Sequence, residues 1–350
     1  MHHGDLIGAD QGLAGTKMTK ALIYGTGGVG SCYGYILDKG GATVTAVCRT
    51  NYSAVRESGI TIRSKLWGEC HFKPHAVQSV KEATADGPFD YIIVASKAFP
   101  GTAELIKEAV TPEHTAIVLA QNGIAIEEDY AKLYPFNTII SGVVYLPVTQ
   151  VQPGVVEMGP LERFEIGPYP ANSSSTANAL AQRLSDLWKA GGANAPVFDD
   201  VQPVRWFKVA INASWNPICA LTLCDDANYL RSSNNSEAMV RKIMLEVGRV
   251  ATAEGYPGAI TDEIITRDLA RPKGRLETGG KEPSMLTDVR ANRPIEVEAI
   301  LGNTLRLAQK HKVDTPYLEL LYTLAKGRNY QLQPDERWRD ISFAKVVNAT

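Results

Sequence analysis

Apolar and polar positions follow two different rhythms along this chain. In the first half, short apolar runs alternate with helical spacing. Ala21–Tyr24, Ala42–Cys48, Tyr91–Ala95 and Thr115–Ala120 read as strands, with helices over Val29–Asp38 and Pro100–Val110. Continuous apolar strands separated by helices predict a doubly wound, largely parallel sheet covered on both faces. From Asn137 to Gly167, β-branched runs broken by Pro147, Pro153, Gly154 and Pro160 predict a few antiparallel strands. Beyond Ala171 the rhythm is helical, with Asn172-Ser-Ser-Ser-Thr as linker or cap for a helix over Ala177–Lys189. Val197–Pro203 reads as the passage to an all-α region, with helices over Val204–Trp215, Ser236–Glu254, Thr261–Leu269, Ile295–His311 and Tyr317–Gly327.

Composition narrows the class without naming a function. At 350 residues the chain has room for two domains, taking about 150 residues per domain. A formal net charge of −2 offers no basic field for nucleic acid. The longest mostly apolar stretch, Thr138–Val148, is far short of a membrane span, and residues 1–17 lack a signal-peptide core, so a cytoplasmic protein is expected. Residues 1–17 read as a disordered extension. The five cysteines, Cys32, Cys48, Cys70, Cys219 and Cys224, include no C-x-x-C pair. Neither a disulfide framework nor a metal site is predicted, and Cys48 and Cys219 read as buried thiols.

Gly25-Thr26-Gly27-Gly28-Val29-Gly30 fits G-x-G-x-x-G between an apolar strand and a helix. The first glycine permits the turn, the second a close approach to a pyrophosphate, and the third close packing of helix on strand. The helix N-terminus then offers free N–H groups to the anion. An NAD site would place Asp or Glu at the end of the second strand, but Val44–Cys48 ends in Arg49-Thr50-Asn51. Arg49 is in position to pair with a 2′-phosphate through its planar fork, which favours NADP(H) over a merely solvated arginine. Ser96-Lys97 and Gln121-Asn122-Gly123 end two further strands, where ligands of open α/β sheets bind.

Lys208, Asn212 and Asn216 recur every four residues among Trp206, Phe207, Val209, Ile211 and Trp215, so they share one helix face. Pro217 is expected to kink or end that helix and turn Asn216 into a cleft. Burial there would lower the Lys208 pKa and make it a better proton donor near neutrality, against the plainer reading of a snorkelling lysine. A third cluster runs from Ser284 to Glu298. Met285, Leu286 and Val289 form an apolar stripe, Asn292-Arg293-Pro294 breaks the helix, and Glu296 opens the next.

Taken together, these segments resemble the ketopantoate reductase family. The resemblance is carried by the glycine loop, Lys97 with Gln121-Asn122-Gly123, the W-x-K-x-x-x-N-x-x-x-N-P segment from Trp206 to Pro217, and S-M-x-x-D…R-P-x-E from Ser284 to Glu296. It implies residues 18–199 as an NADP-binding Rossmann-type domain and 200–350 as a helical substrate and dimerisation domain. The implied activity is NADPH-dependent reduction of 2-dehydropantoate to (R)-pantoate. Lys208 is then the general acid, and Glu296 holds the substrate hydroxyl beside the cofactor. Asn122, Asn212, Asn216 and Ser284 bind the substrate's polar groups. The implied cofactor set is Gly25, Thr26, Gly27, Gly28, Val29, Gly30, Arg49, Lys97, Gln121, Asn122 and Glu296. A homodimer is compatible with the helical domain, though no patch for it can be singled out. Departures such as Ala98-Phe99-Pro100 after Lys97 leave open a relative that reduces another 2-keto acid, carbonyl or imine. A non-catalytic NADP(H)-binding regulator is the remaining alternative, and the set of proton donor and amides speaks against it.

Overall fold

The computed structural model describes residues 18–332, so the expected extension over 1–17 and the last residues of the helical region lie outside it. Among the described residues, eleven strands form two sheets. They are β1 (Lys20–Tyr24), β2 (Thr43–Val47), β3 (Ile60–Ser64), β4 (Gly68–Phe72), β5 (His75–Val77), β6 (Tyr91–Val94), β7 (Ala116–Leu119), β8 (Ile139–Tyr145), β9 (Val148–Gln152), β10 (Val155–Met158) and β11 (Arg163–Tyr169). The main sheet has the order β11-β8-β7-β6-β1-β2-β5. Every neighbour pair in it is parallel except β8–β11. β6 and β7 are buried at every position, as continuous apolar runs require when helices cover both faces. From β1 the chain steps outward to β2 and β5, then returns on the other side of β1 to β6. That reversal opens a crevice between the carboxyl ends of β1 and β6.

The second sheet, β4-β3-β10-β9, was not anticipated, nor was edge strand β5. The proline- and glycine-broken region does give antiparallel strands, but it splits: β8 and β11 join the main sheet, while β9 and β10 form a hairpin in the second. There β10 also pairs in parallel with β3. This sheet lies against the helix Gly28–Lys39. Gly34 leaves room for Phe72, since a Cβ there would come within 2.9 Å of its ring.

The segment expected as a helix over Pro100–Val110 is a 3₁₀ helix over Thr102–Ala109. The helix Ser175–Ala190 is capped by Ser174, whose hydroxyl accepts from the Ala177 N–H. From Gln202 onward every described element is helical. The long helix Gln202–Thr222 does not end at Pro217 but continues past that proline to Thr222. An interior proline costs roughly 3 kcal/mol. Trp215, Ile218, Cys219 and Ala220 around it are buried in the helical core, and their burial outweighs that cost. A π-helical turn, Glu298–Gly302, begins two residues after Glu296 and runs into the helix Asn303–Lys310. All five cysteines are free, with Cys48 and Cys219 buried. Among the described residues, no helix is long and apolar enough to cross a membrane.

Candidate active site

The glycine loop is held tightly from below and open above. Gly25 has φ 98°, and a Cβ there would lie 2.4 Å from the Ser96 backbone nitrogen. A Cβ on Gly30 would lie 2.2 Å from the Gly25 carbonyl oxygen, so Gly30 serves helix packing and does not line the cleft. Gly27, in contrast, faces open space. The helix Gly28–Lys39 starts with no side-chain cap and no acidic residue in its first turn, so its leading N–H groups are available to an anion. Thr26 donates to the Val47 carbonyl at 2.8 Å, and Asn51 donates to the Thr26 carbonyl at 2.7 Å, tying the loop to the end of β2. Arg49 stands there exposed on the cleft, with Nη2 donating to the Tyr24 hydroxyl at 3.1 Å. No carboxylate occupies the end of β2. This loop and helix start fit the pyrophosphate of a dinucleotide.

The ends of β6 and β7 form the floor of the crevice. Gln121 donates to the Ser96 carbonyl at 3.0 Å and accepts from the Tyr130 hydroxyl at 3.1 Å. The Ala98 N–H donates to Glu296 Oε1 at 3.0 Å. Burial raises the Glu296 carboxyl above its ordinary range, while Lys97 and the Ala98 N–H act against it. Lys97 lines the cleft, and its ammonium pairs with Asp288 and donates to the Pro294 carbonyl at 2.9 Å. Its charge is committed to the Ser284–Arg290 helix and the turn after it.

The opposite wall is the long helix. Lys208 is half-buried, its Nζ 4.6 Å from the centre of the Tyr145 ring. Burial lowers its pKa to about 8; Lys281 and Arg271 push in the same direction, and Asp268 opposes them. Asn212 Nδ2 donates to Asn122 Oδ1 at 3.2 Å, joining this wall to the floor. Asn216 Oδ1 accepts from the Ser284 hydroxyl at 3.2 Å and from the Met285 N–H at 3.1 Å, which leaves its amide NH₂ as the donor it can offer.

Apart from Gly30, every site residue expected from sequence lines one cleft of about 1480 Å³ between the two regions. Sequence reading missed Tyr145, Asp268, Arg271 and Lys281, which line it too. Asp268 had a signal: it is a polar residue on the apolar face shared with Ile265, Leu269 and Pro272, and it is buried. The others had none.

Two family models cover most of the chain. "Ketopantoate reductase PanE/ApbA" matches residues 21–171, and its C-terminal counterpart matches residues 200–329. The chain is 27% identical over 319 residues to a 2-dehydropantoate 2-reductase of Nostoc sp., covering 89% of this chain and 96% of that protein. A solved 2-dehydropantoate 2-reductase from Methylococcus capsulatus is 32% identical, with a TM-score of 0.78 over 91% of this chain and 99% of that one. A D-mandelate dehydrogenase solved with NADH and anilino(oxo)acetate, at 23% identity, shares the fold with a TM-score of 0.77 over 90% of this chain and 99% of that one. Family models spanning both regions and this similarity across nearly the whole chain place the protein in the ketopantoate reductase family.

Proposed function

We propose that the protein is an NADPH-dependent reductase of a 2-keto acid, with 2-dehydropantoate as substrate and (R)-pantoate as product. One observation carries the reading: Lys208, with a pKa lowered to about 8, stands on the same helix face as Asn212 and Asn216, across one cleft from the glycine loop and Asn122. The cofactor, when bound, supplies the hydride. The open face above Gly27 and the helix start receive its pyrophosphate, and Arg49 pairs with the 2′-phosphate. Lys97, already paired with Asp288, braces the end of β6 against the helical region.

Negative charge grows on the C2 oxygen as the carbonyl is reduced. The Lys208 ammonium stabilises that charge and then gives its proton to the oxygen. A pKa near 8 suits this task, because the group is mostly protonated at neutral pH yet releases its proton readily. Asn212, Asn216 and Ser284 hold the polar groups of the substrate, with Asn122 at the cofactor side. Glu296, fixed by the Ala98 N–H, accepts from the substrate hydroxyl. The protein is read as acting in the cytoplasm, as a homodimer, without nucleic acid or a metal.

A second reading, reduction of another 2-keto acid, is favoured by the aromatic wall that Tyr145 and Trp215 present to the cleft. NADPH oxidation followed on 2-dehydropantoate and a panel of 2-keto acids separates the two. Turnover of 2-dehydropantoate above the rest supports the first, and preference for an aromatic 2-keto acid supports the second. Tight NADPH binding with no turnover on any of them overturns both.

A further inference from the structure

Beside Lys208, the cleft is also lined by the cations Arg271, Arg275 and Lys281. Two of them are already committed. Arg271 pairs with Asp268 at 3.3 Å, and Arg275 pairs with Asp226. The Lys281 ammonium has no carboxylate within ion-pair distance among the described residues, although its backbone is firmly held. Its N–H donates to Asp226 Oδ1 at 2.7 Å, and its carbonyl accepts from the Asp226 N–H at 3.3 Å. The preceding glycines make that anchorage attainable. Gly279 adopts φ 106°, and a Cβ on Gly280 would lie 1.9 Å from Asp225 Oδ1, so a larger residue there would displace the Asp225 side chain. Lys281 is therefore an uncommitted cation on a fixed backbone, three residues before Ser284.

A 2-keto acid makes a demand that Lys208 alone does not meet. Its carboxylate is bonded directly to the carbonyl carbon, so two negative oxygens appear side by side as the carbonyl is reduced. A lysine that neutralised the carboxylate would be held in its charged form by that ion pair and would release its proton less readily. One cation must stay charged for the carboxylate, and another must give up a proton to the carbonyl oxygen. Resting on the 2-keto acid reading above, we propose that Lys281 is the counter-ion of the substrate carboxylate, which leaves Lys208 free to serve as the acid. The electrostatics agree with this division: of all the charged groups, Lys281 acts most strongly on Lys208, pushing its pKa down, with Arg271 adding to it and Asp268 opposing it. The Tyr145 ring lies 4.6 Å from the ammonium. A carboxylate seated on Lys281 cancels part of that repulsion as the substrate arrives.

The test uses the full-length protein with NADPH and compares 2-dehydropantoate with its neutral methyl ester. Lys281→Met is expected to lower the acid-to-ester ratio of kcat/KM by about tenfold or more, the usual size of a charge-assisted contact. Lys281→Arg is expected to keep most of that ratio. NADPH affinity is expected to be the same in all three proteins, and the basic limb of the pH–rate profile to move to higher pH in Lys281→Met. A ratio unchanged by Lys281→Met overturns the assignment, as does a loss shared equally by acid, ester and NADPH. A wild-type protein that reduces no 2-keto acid overturns the functional reading, and this assignment falls with it. Wild-type turnover with an unchanged ratio overturns the assignment alone.

Discussion

Arg205 and Glu127 form an ion pair sealed inside the protein, with Nε 2.9 Å from Oε1 and side-chain exposures of 2% and 0%. The guanidinium also donates to the Gln121 and Gly123 carbonyls at 3.2 and 3.0 Å, to the Ser141 hydroxyl, and to the Gly142 carbonyl at 2.9 Å. Arg205 sits one helical turn before Lys208, so the pair ties the helix of the acid to the loop that carries Asn122. From the other side, Gly123 packs on Ala299 in the π-helical turn, and the Ile124 N–H donates to the Ala299 carbonyl at 3.1 Å. Removing one partner of a buried pair leaves the other charge uncompensated, at a cost of roughly 3–5 kcal/mol. Arg205→Met is expected to lose about that much in urea unfolding, and Arg205→Met with Glu127→Met to recover a large part of it. A single variant as stable as the wild type would show the pair to be dispensable.

In the function proposed above, Arg49 pairs with the 2′-phosphate of NADPH. Arg49→Ala is expected to weaken NADPH binding by roughly 10–100-fold, as loss of a charge-assisted contact does. NADH binding should change little, because NADH has no 2′-phosphate. Fluorescence titration of both cofactors checks this. An equal loss for both would assign Arg49 to the shared part of the site.

Glu162 gives folding a pH dependence. Burial raises its carboxyl from 4.5 to about 7, and its Oε1 has no hydrogen-bond partner, while Oε2 accepts weakly from the Asn194 N–H at 3.5 Å. Between 4.5 and 7 the folded protein binds this proton more tightly than the unfolded chain does. This contribution to stability is therefore full below about 4.5, falls as pH rises, and is lost above about 7. The change expected at this site, after solvent screening, is on the order of 1–2 kcal/mol. Thermal unfolding from pH 5 to 8 should show the decline, and Glu162→Gln should flatten it.

Lys208 must be protonated to act as an acid, so kcat/KM for reduction should be level below pH 8 and fall above about 8 as the ammonium deprotonates. In the oxidation direction the same group must accept a proton, and the limb reverses. A reduction profile with no break on the basic side would remove Lys208 from the proton transfer.

The parts of the site that lie on regular elements were legible in the sequence. Spacing by four put Lys208, Asn212 and Asn216 on one face, and the fingerprint put the glycine loop between a strand and a helix. Relations between distant segments were not legible. Lys97 and Asp288 are 191 residues apart, and nothing local in either predicts that they meet. The second sheet escaped because β3 and β4 are short and half exposed, with Arg63 and Glu69 breaking any apolar run. The helix runs on past Pro217 because the burial of the residues around it outweighs the lost N–H, and that burial is not visible in the local sequence. The helix Asp226–Ser232 escaped because Asn and Ser are weak helix formers; its start depends on the Asp225 cap, which accepts from the Asn228 N–H.

The role of Lys208 as the acid is tested most directly by steady-state reduction of 2-dehydropantoate with NADPH by the wild type and by Lys208→Ala, with NADPH affinity measured on both. Turnover by the wild type is expected, with kcat lower by roughly 10²–10⁴ in Lys208→Ala and NADPH binding unchanged. Near-wild-type kcat in Lys208→Ala would contradict it.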